Sequence, residues 1–415
     1  MNVTIQAGRL RGDIAAVPSK SQAHRILICA ALADKPTQVI CPQVSDDIEA
    51  TARCLHALCA DIERTGQGFH VTPCAQKADP LLDCGESGST YRFLLPLASA
   101  LGSGARFHLS GRLAQRPMAP LFEALEAHGI TVQGKGSDSI SVSGKLRGGG
   151  FTLPGDISSQ FVSGLLLSAP LTGTACQIRL TSPLASKGYV DITRAEMRRF
   201  SVQVEGLDVQ AGQSYLSPGQ AQVEGDWSNA AFWLCAAACG GQVRVSALST
   251  QTSQGDKAVL DILRQFGASV HIGENLLSVT AKQLHGSRVD IGDTPDLAPA
   301  IALLGVMASG RTLIYPISRL RLKESDRAQS ITAALSDLGA DIHILGEQLI
   351  ILGTGGLRGG QTSAWGDHRI AMMAAIGASI SRETVTIRDA QAVDKSYPAF
   401  FDDLAKLGAQ LRFAD

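Results

Sequence analysis

Phe266-Gly267-Ala268-Ser269-Val270, a helix running out through glycine into a short strand, is one of six copies of the same join. The others read Leu58-Cys59-Ala60-Asp61-Ile62, His128-Gly129-Ile130-Thr131-Val132, Phe200-Ser201-Val202-Gln203-Val204, Leu338-Gly339-Ala340-Asp341-Ile342 and Leu407-Gly408-Ala409-Gln410-Leu411. From copy to copy the position held by Gly267 advances by 70, 72, 66, 72 and 69 residues. A second landmark, an Ala-rich helix turning into a strand, keeps the same period at Val39, Phe107, Ile178, Val243, Leu313 and Val385. Two independent landmarks on one spacing identify six related units. Each reads as helix, strand, helix and a hairpin such as Val270-His271-Ile272 returning as Leu277-Ser278-Val279. The expected fold class is α/β, with two domains of three units each.

The sixth copy reaches Asp415 before its hairpin can return, so the missing strand is expected at the other end of the chain. Gly8-Arg9-Leu10-Arg11-Gly12 resembles Gly144-Lys145-Leu146-Arg147-Gly148 and Gly356-Leu357-Arg358-Gly359, which follow the hairpins of other copies. An N-terminal strand that completes the last unit puts both termini in one domain. Residues 1–19 with 226–415 then form a discontinuous domain and residues 20–225 an inserted one, with crossings near Pro18 and Asp226. The length of 415 residues agrees, being too great for one ordinary core.

Apolar residues make up 45% and charged residues 18%, the balance of a soluble globular chain. A net charge of -1 supplies no general basic surface, which argues against a nucleic-acid partner. No apolar run reaches 18 residues, and Met1 leads directly into the strand-like Val3-Thr4-Ile5, so neither signal peptide nor membrane span is expected. The nine cysteines include no Cys-x-x-Cys, and Cys29, Cys235 and Cys239 lie in Ala- and Leu-rich segments where a thiol acts as a small hydrophobe. That pattern points to a reducing cytoplasm, with neither disulfides nor zinc.

Chemistry is expected where the units start their helices. In Arg321-Leu322-Lys323-Glu324-Ser325-Asp326-Arg327 the charges precede Ile331, Leu335 and Leu338 at helical spacing, which predicts an opening turn with Lys323 and Arg327 on one face. Helix starts attract anions because their first N–H groups lack partners, and Glu324 would be placed to move protons beside a bound phosphate. Lys20, Ser21 and Arg25 open the first Ala-rich helix with a point charge, a hydroxyl and a planar fork. Gly88 with Ser89 and Arg92 lets backbone approach a ligand, and Arg116 precedes Pro117 at another start. Ser158, Ser159 and Gln160 open a further helix, Ser186 and Tyr189 flank the next, and Asp296, Asp367-His368-Arg369 and Lys395 stand at later ones. Singly, most of these read equally well as caps, as does Ser45-Asp46-Asp47, to which no chemistry is assigned. Together, cations and hydroxyls at equivalent starts in a chain of low charge point to a cleft for ligands with several negative charges.

These stretches also carry a resemblance. Pro18-Ser19-Lys20-Ser21 with Arg25, Gly88-Ser89 with Arg92, Arg116-Pro117, Ser158-Ser159-Gln160, Ser186-Lys187, Lys323-Glu324-Ser325-Asp326-Arg327, Asp367-His368-Arg369 and Lys395 occur in this order. In that order they resemble the 5-enolpyruvylshikimate-3-phosphate (EPSP) synthase family over essentially the whole chain. The resemblance implies a two-domain enolpyruvyl transferase of six repeated units, in agreement with the spacing. It implies that Lys20, Gly88, Arg116, Gln160, Arg327, Arg369 and Lys395 bind phosphoenolpyruvate. Shikimate 3-phosphate would be held by Lys20, Ser21, Arg25, Ser158, Ser159, Gln160, Ser186, Asp296 and Lys323. The 5-hydroxyl of the second ligand would add to C2 of the first while C3 is protonated, and the adduct would lose phosphate. Asp296, with Lys20, would manage the hydroxyl proton and Glu324 the proton at C3. No metal or cofactor is called for, and a cytoplasmic monomer, open without ligands and closed around both, is expected.

The chain departs from the family's common pattern at Glu86-Ser87-Gly88-Ser89, where many members have Asn-Ala-Gly-Thr, at Phe93 in place of Pro, and at Arg319 in place of Asn. A sister enzyme of the same fold transfers enolpyruvyl to UDP-N-acetylglucosamine, usually with a loop cysteine shortly before the Arg-Pro. No cysteine lies between His108 and Pro117, and Lys20 is followed by Ser rather than the sister's Asn. A clamp-like nucleic-acid-binding repeat protein would need a basic inner face and has no use for a carboxylate at Glu324.

Overall fold

The computed structural model describes residues 1–414; Asp415, where the last copy stops, lies outside them. Twelve α-helices order the described residues. They are α1 (Lys20–Ala31), α2 (Asp46–Leu58), α3 (Gly88–Leu101), α4 (Ala119–Ala127), α5 (Ser159–Ser168) and α6 (Lys187–Arg199), then α7 (Trp227–Ala238), α8 (Val259–Gln265), α9 (Ala298–Met307), α10 (Arg327–Asp337), α11 (His368–Gly377) and α12 (Phe400–Lys406). Contacts divide the chain into two units, residues 1–17 with 224–415 and residues 18–223, each with its own apolar core. Among the described residues each unit holds three small sheets.

One sheet shows the plan. Leu81–Asp83 runs parallel to Ala105–His108 with α3 crossing between them, and α4 then leads into a hairpin of Ile130–Gln133 and Ser139–Gly144 whose second strand pairs antiparallel with Ala105–His108. Arg288–Asp290, Arg311–Tyr315, Gln348–Leu352 and Asp341–Leu345 repeat that order around α9 and α10. In the last sheet the hairpin's return strand comes from the N-terminus. Asn2–Ile5 lies antiparallel to both Val385–Arg388 and Leu411–Ala414, with Val3 opposite Ile387 and Phe413.

One copy departs from its expectation. Val202-Gln203-Val204 reads as a strand but is not one, and its sheet has three strands. The Gln213 side chain takes the place of a neighbouring strand there: Gln203 N donates to Gln213 Oε1 at 2.6 Å and Gln213 Nε2 donates to Gln203 O at 2.9 Å. An amide side chain satisfies both backbone groups that a ladder would otherwise pair.

Helices α7, α9 and α11 are buried along nearly their whole length, as are α1, α3 and α5. A helix apolar around its girth belongs inside a core. Intervening helices are one-sided: α2 buries Ile48, Thr51, Ala52, Leu55 and Leu58 and turns Asp46, Glu49, Arg53 and His56 to solvent. Helices α3 and α5 pack at close range because residue 164 is glycine; a Cβ there would lie 2.4 Å from the carbonyl oxygen of Arg92. With their flanks sealed, the inner helices keep polar and charged residues chiefly at their ends.

Candidate active site

Within residues 18–223 the polar starts of α1, α3 and α5 meet. Lys20 Nζ donates to Asp47 Oδ2 at 2.8 Å, and Asp47 stands in the first turn of α2. The Ser45-Asp46-Asp47 stretch therefore departs from its expected capping: Ser45 holds the N-cap position without a side-chain cap bond, while Asp47 holds Lys20. Gly88 begins α3 against Arg116, and a Cβ on residue 88 would lie 2.6 Å from Arg116 Nη1. Arg92 Nη1 donates to Gln160 Oε1 at 2.7 Å, and Gln160 Nε2 donates to Ser89 Oγ at 2.9 Å. Ser158 caps α5 by accepting from Gln160 N at 3.3 Å, and buried Ser186 precedes α6 in the left-handed conformation with φ 53°. Ser159 is buried at the first position of α5.

Arg25 lies deeper, stacked over the Phe93 ring at 4.8 Å. Its guanidinium donates to Thr193 Oγ1 at 2.6 Å, to the carbonyl oxygens of Ser21 at 2.5 Å and Tyr189 at 2.9 Å, and to Ser163 Oγ at 3.3 Å. Burial pulls its pKa down to about 10, against the raising influence of Tyr189 and Glu196, so the group remains a cation at neutral pH. Arg25 thus orders Ser21 and the start of α6 from below. Glu196, which accepts from Gln22 Nε2 at 2.7 Å, gave no sequence signal beyond its place in an amphipathic helix.

In the other unit one guanidinium organises the charges. Arg327 Nη1 donates to Asp296 Oδ1 at 2.7 Å and Nη2 to Glu324 Oε2 at 2.5 Å, while Nε and Nη2 grip Asp367 at 2.9 and 3.2 Å. Asp296 also receives Lys323 Nζ at 3.0 Å and Arg369 Nη2 at 3.3 Å. Asp367 caps α11 by accepting from Arg369 N at 2.9 Å, and Ser325 Oγ donates to it at 3.2 Å. Burial opposes the charge on Arg327, but Asp367, Glu324 and Asp296 outweigh it and raise the pKa. Burial lowers the pKa of Lys323, against Asp296 and with the help of Arg327. Of the three carboxylates, the side chains of Glu324 and Asp296 are 22% and 15% exposed while Asp367 is 0%, so only the first two can reach a ligand.

The expected opening turn around Lys323 is corrected here. Lys323 ends a 3-10 turn over Ser318–Leu322, Asp326 caps α10, and the helix begins only at Arg327. Lys323 and Arg327 converge because both bond Asp296, not through helical spacing. Lys395 likewise ends a 3-10 turn, well before α12, and its Nζ donates to Gly366 O at 2.8 Å beside the start of α11. Asp296 is not a cap, since Thr294 holds that place and the carboxylate faces the cations. A buried acid escaped the sequence reading: Asp256 accepts from Ser228 Oγ, and burial together with Asp296 pushes its pKa up to about 6, with Arg369 and the Ser228 hydrogen bond opposing.

Both clusters can take anions, and one adds two reachable carboxylates able to exchange protons. A family model described as EPSP synthase (3-phosphoshikimate 1-carboxyvinyltransferase) matches residues 5–404. The 3-phosphoshikimate 1-carboxyvinyltransferase of Clostridium kluyveri is 36% identical over 417 residues, 99% of this chain and 98% of that one. The protein of the same name from Methanocorpusculum labreanum is 38% identical over 423 residues, 99% and 100% of the two chains. Among solved structures, EPSP synthase from Acinetobacter baumannii matches with a TM-score of 0.80 at 25% identity, covering 99% of this chain and 100% of that one. The enolpyruvyl transferase NikO from Streptomyces tendae shares the fold, with a TM-score of 0.81 at 18% identity over 99% and 98% of the chains.

Proposed function

Because the chain belongs to the EPSP synthase family, we propose that the residues gathered at its helix starts bind that family's ligands. The reaction is the family's: the enolpyruvyl group of phosphoenolpyruvate passes to the 5-hydroxyl of shikimate 3-phosphate and phosphate is released, a step toward aromatic amino acids. An O5–C2 bond forms as C3 gains a proton. C3 then returns a proton as the C2–O bond to phosphate breaks, so the hydroxyl proton is balanced on the released phosphate.

In this reading Lys20, Gly88, Arg116, Gln160, Arg327, Arg369 and Lys395 bind phosphoenolpyruvate. Lys20, Ser21, Arg25, Ser158, Ser159, Gln160, Ser186, Asp296 and Lys323 hold shikimate 3-phosphate. Asp296, with Lys20, takes the hydroxyl proton, and Glu324 delivers and reclaims the proton at C3. The observation that carries the assignment is the simultaneous hold of Arg327 on Asp296 and Glu324. A shared cation orients both acids until a ligand's own anion competes for it. In this reading the enzyme acts as a cytoplasmic monomer; its nine free cysteines suit a reducing compartment.

Glu324→Gln should keep both ligands bound while kcat falls on the order of 10²–10⁴-fold. Near-normal kcat would remove Glu324 from its role. Phosphate release from phosphoenolpyruvate should require shikimate 3-phosphate; release with UDP-N-acetylglucosamine instead would favour the sister reaction.

A further inference from the structure

Four buried side chains beneath the assigned site form a hydrogen-bonded line across three helices. His24 Nδ1 lies 2.7 Å from Thr51 Oγ1, Thr51 Oγ1 lies 2.6 Å from Thr90 Oγ1, and Thr90 Oγ1 donates to Ser87 Oγ at 2.7 Å. His24 comes from α1, Thr51 from α2 and Thr90 from α3, whose N-cap is Ser87. Each hydroxyl has one proton to give. With Thr90 donating to Ser87, Thr51 donates to Thr90 and an Nδ1–H on His24 donates to Thr51. Burial, then Lys20 and Arg25, hold the His24 pKa well below its usual 6.5, so the ring is the neutral donor this direction requires.

The placement of this line matters more than its existence. Lys20 and His24 are one turn apart on α1, and Asp47 and Thr51 are one turn apart on α2. Two rungs therefore join the helices, Lys20 to Asp47 at 2.8 Å and His24 to Thr51 at 2.7 Å. The first rung involves Lys20, which the reading above assigns to ligand. The second lies in the interior, where no ligand reaches. Burying hydroxyls and an imidazole is costly, and apolar side chains of the same shape would hold three helices together more cheaply. Hydrogen bonds add direction, which apolar contact lacks.

We propose that Thr51 is a positioning residue for phosphoenolpyruvate: through Thr90 and Ser87 it sets where Gly88 and Ser89 stand relative to Lys20 while Lys20 exchanges Asp47 for ligand. This rests on the assignment of Lys20 and Gly88 to phosphoenolpyruvate above. Thr51→Val keeps the shape and removes the link. It should raise KM for phosphoenolpyruvate about tenfold, the worth of one buried hydrogen bond, with kcat and KM for shikimate 3-phosphate within about twofold. Thr51→Ser should restore the wild-type value.

A Thr51 that serves only folding would lower Tm and kcat and leave KM for phosphoenolpyruvate unchanged, and that result overturns the proposal. Thr90→Val breaks the next link and is judged by the same measures, including where Thr51→Val does not fold. The double variant should raise KM no further than either single one; additive increases would mean two separate contacts and overturn the line. A wild-type chain that does not turn over phosphoenolpyruvate overturns the functional reading and this proposal together. Normal turnover with an unmoved KM in the variants overturns the proposal alone.

Discussion

In residues 18–223 the site side chains are held mostly by neutral groups: Arg25 by two hydroxyls and two carbonyls, Arg92 by Gln160 and a carbonyl, Gln160 by Ser89. In the other unit Lys323, Arg327 and Arg369 face Asp296, Glu324 and Asp367. Neutral partners leave a cation's full charge for a ligand, and removing one of them strands no countercharge. Ion pairs hold side chains in fixed directions, but each buried charge then depends on the others. The unit that carries Asp296, Glu324 and Asp367 is therefore the one that should suffer more from a single lost partner.

Asp367→Ala tests this most severely. It leaves Arg327 buried without its principal countercharge and should cost about 3–5 kcal/mol in chemical denaturation. A loss below about 1 kcal/mol would mean that Asp296 and Glu324 suffice and that the two units do not differ as described.

Asp256→Asn sharpens the comparison from the other side, because this carboxyl is raised rather than lowered by its surroundings. With a folded pKa of about 6 against an ordinary 3.8, the folded state holds the proton more tightly than the unfolded chain. The resulting stabilisation is complete below pH 3.8 and is lost as pH rises through about 6. Asparagine keeps the neutral form, so the variant should gain on wild type between these limits by up to about 3 kcal/mol for a shift of about 2 pH units. Parallel stability curves at pH 5 and 7.5 would contradict it.

Gly88→Ala should have the smallest effect and act on the neutral cluster. The added Cβ meets the far end of the Arg116 side chain, which can move, so the fold should keep its stability within about 1 kcal/mol. Displacing that guanidinium from the start of α3 should raise KM for phosphoenolpyruvate about tenfold, a single charged hydrogen bond's worth. An unchanged KM would take Arg116 away from phosphoenolpyruvate.

The two regions also differed in how far they could be read in advance. Motifs beginning at Lys20, Gly88 and Ser158 stand where the sequence puts helix starts, because an apolar helix entering a core announces its polar end. Around Lys323 the expectation failed in detail: the periodicity of Ile331 and Leu335 was extended one turn too far toward the N-terminus. Asp326, read as one charge among several, is the cap that ends it. Asp47 was passed over because a carboxylate in a first turn reads as a cap whether or not a lysine 27 residues away reaches it. Thr51, Thr90 and Asp256 gave no signal, since a hydroxyl or carboxyl on a buried face is recognisable only by what faces it.

The spacing of Gly-Ala-x-Val joins and the match between the chain's first residues and its other copies determined the architecture, because a repeat leaves its period in the sequence and a hydrophobic face leaves its own. Which charges meet is another matter. The convergence on Asp296 brings together Lys323, Arg327 and Arg369, residues 27 to 73 positions away. The line from His24 to Ser87 spans three helices. Such pairings depend on distances of a few ångströms between elements remote in sequence, and only packing the inner helices against one another decides them.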